Sequence, residues 1–148
     1  MTVDTVDTVT TATLKGTPAC AGVVTGTPVF IPEKQDIPQD YILKLLGKHG
    51  DNILVMPMTT PAIVPILKHI KGIVTFTGGM LCHAAIIARE FSIPTVVACQ
   101  ALKEYLVFDE KELDFMQSYR SASFSFPLGM QLTIDGGTGE VTILQGKG

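Results

Sequence analysis

Hydrophobic and polar positions change rhythm several times along this chain. Residues 1 to 11, "MTVDTVDTVTT", repeat valine among threonine and aspartate, a pattern open to a frayed strand but read at a terminus as a mobile tail or linker. "GVVTGTPVFI", Gly22 to Ile31, is β-branched and punctuated by glycine, which predicts a strand or a bent pair of strands. "DYILKLLGKHG" carries apolar residues at helical spacing and stops on glycine, so a short helix is expected over Asp40 to Lys48. "NILVMP" is a short apolar run, the mark of a buried strand. Thr60-Pro61 opens the next helix, a hydroxyl cap followed by a residue preset for the first turn. That helix runs over Ala62 to Ile70, is closed by Gly72, and is bent early by Pro65. "GIVTF" is then a strand, Gly78-Gly79 a turn, Cys82 to Phe91 a helix, and "PTVVA" a strand.

To this point strand and helix alternate as in an α/β layer structure. Ala101 to Met130 breaks the regularity: "DEKELDFMQSY" is helical in pattern, and "RSASFSFPLG" reads as an ordered loop or edge strand. "QLTIDGGTGEVTIL" is the clearest hairpin, two β-branched runs around a Gly-rich turn. The division that follows is a tail over 1–11, one domain over 12–144 and a C-terminal tail over 145–148.

Composition narrows the class. With 148 residues, 46% apolar and 17% charged, the chain is one globular domain with a real core. Net charge is −3 with no cluster of lysine or arginine, which argues against a nucleic-acid partner. No apolar run approaches the about 20 residues of a membrane span, and the first residues lack the apolar stretch of a signal peptide. Cys20, Cys82 and Cys99 form no C-x-x-C pair, so a disulfide framework is not expected and a cytoplasmic setting is. Zinc on Cys82, His83 and Cys99 is disfavoured by the spacing: neighbouring residues rarely share an ion, and closed sites take four ligands. No metal is expected.

The candidate chemistry lies at His83. A helix start presents unpaired backbone N–H groups and the positive end of the dipole, a ready anion site. Gly78 and Gly79 in front of it allow close backbone approach. Neutral imidazole is a good nucleophile, so these parts suit a histidine that takes a phosphoryl group and keeps it beside amide donors. At about 100° per residue, Ile86 and Ile87 share the face of His83 one turn on, whereas Glu90 lies about 10 Å further along the axis. Arg89 is turned about 120° away and would need its full reach to touch a phosphate. A structural ion pair or a surface position suits it better. His49 and His69, at the ends of the two earlier helices, read as structural.

"TFTGGMLCHAAIIAREFSIPTVV" resembles the phosphohistidine signature of phosphoenolpyruvate-utilising enzymes, T-x-x-G-G-x-[TL]-[SC]-H-A-A-I-[IV]-A-R-E-x-x-I-P-x-V-V. The resemblance extends to "GTPACAGVVTGTPVFI", "DNILVMPMTTPAIVPILKHIKGIVT" and "LTIDGGTGEVTI", and so covers most of the chain. It implies a swivelling three-layer β/β/α phosphohistidine domain. In pyruvate phosphate dikinase and phosphoenolpyruvate synthase such a domain carries phosphate from an ATP-grasp domain to a barrel that binds pyruvate. Some relatives serve an antibiotic or a phenol instead. Carried over, His83 is the phosphoryl carrier, and Thr75, Gly78 and Gly79 belong to the phosphate loop. Cys82 and Ala84 flank the histidine at the helix start, and Arg89 matches the motif's arginine as a candidate phosphate contact. ATP and magnesium would sit on the partner domain, with no cofactor on this one.

Against the resembled family, 101–130 is a family-variable insertion, longer than the usual connection to the last hairpin, and three positions depart from the pattern. Leu81 replaces a threonine that dikinases use as a regulatory phosphorylation site, so that switch is lost. Ser92 and Ala98 replace glycines, which is harmless if their backbone angles are ordinary. The chain has no room for an ATP-grasp fold or a barrel, so it is expected to be a carrier subunit or a domain of a larger enzyme. The competing readings are a non-catalytic interaction module that keeps the swivelling fold, and a nucleophilic thiol at Cys82.

Overall fold

The computed structural model describes residues 8–31, 51–59, 61–79, 82–108, 124–126 and 129–146. Its strands are β1 (Thr8–Lys15), β2 (Thr17–Cys20), β3 (Val23–Phe30), β4 (Asn52–Met56), β5 (Ile70–Thr75), β6 (Thr95–Val97), β7 (Val107–Phe108), β8 (Phe124–Ser125), β9 (Met130–Asp135) and β10 (Glu140–Gly146). One α-helix among the described residues, α1 (His83–Phe91), is joined by two 3-10 helices, η1 (Pro61–His69) and η2 (Gln100–Tyr105).

Ten strands form a mixed eight-stranded sheet, in the order β1-β10-β9-β3-β4-β5-β6-β2, and a small β7-β8 pair. β3 to β6 run parallel, with Leu54 opposite both Val29 and Ile73, and Val74 opposite Val96. The β1, β10 and β9 arm is antiparallel and joins β3 through Val24 and Ile134. The two outer strands of this order, β1 and β2, are separated in sequence by Gly16 alone, so the sheet must curl until its edges meet there. Close packing at that corner requires glycine, since a Cβ on Gly16 would lie 2.5 Å from Val96 Cγ1 and 2.7 Å from the Val97 carbonyl oxygen.

Why "NILVM" is apolar at four of five positions follows from its place in the middle. Both faces of β4 are covered, and every residue in it is buried. Ile53 and Val55 face a cluster with Val74, Leu132, Ile134 and Val141. Leu54 and Met56 face the opposite cluster, with Ile66, Ile73, Ile87 and Ile93. One cluster therefore lies between the parallel strands and the hairpin, the other between those strands and the η1 and α1 helices. β9 shows the contrasting pattern, buried at Met130, Leu132 and Ile134 and half-buried between them, as a strand with one covered face should.

Several expectations need correction. The tail predicted over 1–11 gives way to strand from Thr8, because the backbone pairs with β10 from Thr8–Gly146 to Lys15–Glu140. Farther along, Ala12 and Leu14 pack on the core. The tail predicted from 145 also shrinks, since Gln145 pairs with both Val9 and Met130. The helix expected over Ala62 to Ile70 is a 3-10 helix ending at His69, and Ile70 already belongs to β5. Pro65 lacks the N–H that α-helical geometry would need at that position. Ser92 (φ 56°) and Ala98 (φ 60°) are both left-handed, so the condition of ordinary angles, under which replacing the two glycines would be harmless, is not met. Ser92 closes α1 and donates its N–H to the Ala88 carbonyl, as does Ile93 at 2.9 Å. The edge-strand reading of "RSASFSFPLG" fits Phe124–Ser125, which pairs with Val107–Phe108. The helices expected over Asp40 to Lys48 and within 109–119 lie outside the described residues, as do His49 and Leu81.

Candidate active site

The site forms where two parallel neighbours end. β4 and β5 lie side by side, so the loops leaving their carboxyl ends, 57–59 and 76–79, emerge together. Backbone bonds join them: Phe76 N–H donates to the Met56 carbonyl at 3.0 Å and Thr77 N–H to the Pro57 carbonyl at 3.1 Å. Thr77 Oγ1 donates to the same Pro57 carbonyl at 2.8 Å. Thr75, fully buried, donates its hydroxyl to the Thr77 carbonyl at 2.6 Å and so braces the loop from below.

The helix bearing His83 is seated on small residues. Ala84 and Ala85 are buried against Ala19 of β2 and Val97 of β6, with Cys82 packed at the margin. Alanine at these places lets the helix axis approach the strands, and it turns His83 toward the half-exposed side. Cys82 is the N-cap residue, extended at φ −74° and ψ 166°, and its side chain makes no capping bond. Its N–H donates to the Gly79 carbonyl and its own carbonyl accepts from Ile86, both at 3.1 Å. The helix therefore starts directly behind the glycine loop, with N–H groups that have no partner within the helix directed at its mouth.

The two glycines differ in their reasons. Gly78 has φ 120°, and a Cβ there would lie 2.9 Å from Cys82 Sγ. Among the described residues no atom lies within 4 Å of such a Cβ on Gly79.

His83 has a partner that the sequence reading passed over. Thr59 Oγ1 lies 2.9 Å from His83 Nδ1, and Thr59 is only 3% exposed. Attention at "MTTP" went to Thr60 as a helix cap. The available signal was a hydroxyl immediately beyond a buried parallel strand, at the end where such sheets place their sites. Among the described residues no hydrogen bond engages Nε2, the other ring nitrogen.

Of the predicted residues, His83, Cys82, Ala84, Gly78 and Gly79 come together at the helix start. Arg89 extends elsewhere: its Nε donates to the Ala19 carbonyl at 3.0 Å, linking α1 to β2. Ile87 is buried and Ile86 exposed, so the two isoleucines expected on the His83 face divide between core and surface. His69 is exposed, and its carbonyl accepts from Asn52 Nδ2 at 3.2 Å. No group of three or more histidine, cysteine or acidic residues suited to a metal ion occurs among the described residues. No helix among them is long and apolar enough to cross a membrane.

Comparison with known proteins fits this geometry. The family described as the mobile domain of PEP-utilising enzymes matches residues 48–139. A probable phosphoenolpyruvate synthase of Archaeoglobus fulgidus is 41% identical over 98 residues, covering 64% of this chain and 12% of that protein. Pyruvate, phosphate dikinase of Rickettsia conorii is 34% identical over 131 residues, covering 88% of this chain and 13% of its own length. Phosphoenolpyruvate synthase of Escherichia coli is 58% identical over 50 residues, covering 34% of this chain and 6% of that enzyme. The chain thus spans only about an eighth of the first two relatives.

Proposed function

The chain belongs to the mobile-domain family of PEP-utilising enzymes, and from that premise we propose that His83 carries a phosphoryl group on Nε2. The observation that bears this reading is the 2.9 Å contact between Thr59 Oγ1 and His83 Nδ1. If Nδ1 carries the proton and donates it to Thr59, the lone pair of the neutral ring lies on Nε2. That nitrogen attacks phosphorus, the bond from phosphorus to the leaving oxygen breaks, and Nδ1 keeps its proton on Thr59 throughout. The N–H groups at the start of α1 then face the phosphate oxygens. Thr59 is a positioning residue; His83 is the nucleophile.

On this proposal the donor is ATP held with magnesium by an ATP-grasp partner and the acceptor is pyruvate in a barrel, of which the relatives' names support the pyruvate and phosphoenolpyruvate chemistry alone. The domain swivels between them as a three-layer β/β/α unit, a reading supported by the two core clusters on opposite faces of β4 and β5. Its setting is the cytoplasm.

The test needs no partner. Phosphoramidate, a small phosphoryl donor, is incubated with wild type, His83→Ala and His69→Ala, and acid-labile, base-stable phosphate is followed by mass and by phosphorus NMR. Wild type and His69→Ala should label fastest at one site, with the Nε2 signature. If His83→Ala labels as wild type does, the chain is an interaction module rather than a carrier.

A further inference from the structure

A second recess lies at the other end of α1. It is a groove of about 700 Å³ whose lining includes Leu67, Lys68, Ile70, Lys71, Phe91 and Ile93. Leu67, Ile70 and Ile93 are buried and form an apolar floor, while Phe91 remains 43% exposed. Lys68 lies in the last turn of η1 and Lys71 follows on β5, and both line the groove, so two ammonium groups belong to one rim. No acidic side chain lines the groove among the described residues, and no ion pair engages either lysine among them. The nine-residue helix from His83 to Phe91, eight steps of 1.5 Å, sets the groove about 12 Å along the axis from the histidine.

We infer that this groove is a docking site for an acidic, apolar-bearing segment of a partner protein. Charge complementarity selects the occupant: two lysines with no carboxylate opposite them among the described residues, beside an apolar floor, match a segment that alternates carboxylates with large apolar side chains. Such a segment, when extended, presents its apolar residues to one side and its carboxylates to the other. Breadth argues for a peptide over a small molecule, because the half-exposed Phe91 leaves the floor open along one side. The inference rests on the carrier reading only for its use. Held at this end, the domain would stay tethered while Nε2 of His83 remained reachable.

The probe is an eight-residue synthetic peptide alternating glutamate with leucine and phenylalanine, titrated into the 15N-labelled chain. Its glutamine counterpart and naphthalene-1-sulfonate serve as controls. The acidic peptide should shift the amides of Leu67 to Lys71 and Phe91 to Ile93. The double variant Lys68→Glu/Lys71→Glu should bind it about tenfold more weakly, the effect of losing two solvent-facing charge contacts. Both lysines are exposed, so unchanged amide positions elsewhere verify that the variant folds. Three outcomes overturn the proposal: no shift at millimolar peptide, equal binding of the glutamine peptide, or tight binding of the sulfonate that the acidic peptide does not displace. Phosphoramidate labelling of His83 in the peptide-saturated chain should match that of the free chain. Loss of labelling without peptide would count against the carrier reading alone, since the groove is scored by amide shifts.

Discussion

Replacing Ser92 by glycine should make this protein more stable, although no contact is added. Ser92 sits at φ 56° and ψ 44°, where a Cβ crowds the following carbonyl at a cost of about 1–2 kcal/mol. Glycine removes that cost but gives the unfolded chain more freedom, which returns about 0.4–1 kcal/mol. Ser92 is exposed, so no buried area is lost, and its backbone N–H still reaches the Ala88 carbonyl to close the helix. The net gain is about 0.5–1 kcal/mol, equivalent to about 1–4 °C in Tm for a chain of this size. Urea unfolding checks it: Ser92→Gly should raise the midpoint with an unchanged slope, and Ser92→Ala should not, because alanine keeps the Cβ. Equal gains from both variants, or no gain from glycine, would refute the backbone argument. Ala98→Gly should show a smaller gain, since a half-buried methyl is lost with the strain.

Thr59→Val should slow phosphoramidate labelling of His83 about tenfold, the equivalent of one lost hydrogen bond of about 1.4 kcal/mol, with Thr59→Ser restoring most of the rate. Gly78→Ala should cost about 1–3 kcal/mol of stability, because it combines φ 120° with a 2.9 Å clash on Cys82 Sγ, while Gly79→Ala should be nearly silent. Guanidinium unfolding of the two variants side by side decides this. Burial holds the Cys99 thiol above its ordinary range, against a smaller opposing effect of the Leu102 backbone. The unfolded chain therefore loses this proton first as pH rises, so stability contributed by the neutral thiol is complete below about pH 8.5 and declines from there through the higher folded value. Cys99→Ala should flatten that alkaline decline in pH-dependent unfolding, and alkylation of the native chain should reach Cys20 and Cys82 before Cys99.

The central strands were legible because burial on both faces leaves an uninterrupted apolar run, as in "NILVM", and the hairpin because "DGGTGE" divides two β-branched runs. β1 was not legible. Its alternation of threonine with valine, alanine and leucine carries little hydrophobicity, and its stability comes from a partner, β10, more than a hundred residues away. The η1 helix was legible to within one residue at each end but not in its winding, since periodicity over nine residues does not separate 3-10 from α geometry. The backbone angles at Ser92 and Ala98 were hidden for a related reason. A left-handed residue is announced by glycine, and here serine and alanine occupy the position without the usual sign.

The same distinction between local pattern and spatial neighbour runs through the site. His83, Gly78, Gly79 and Cys82 are close in sequence, so helix-start chemistry alone could assemble them. Thr59 is 24 residues from His83 and reaches it because β4 and β5 are parallel neighbours whose carboxyl-end loops are tied through Pro57 and Thr77. That topology makes Thr59 the residue that holds the ring, while Thr60, the cap that the sequence predicts, lies outside the described residues. A histidine at a helix start is an anion site with a nucleophile beside it. On the proposed reading a buried hydroxyl accepting from Nδ1 adds direction, since it would leave Nε2 as the nitrogen to meet phosphorus, and this contact is what the reading has beyond a helix that merely begins with histidine.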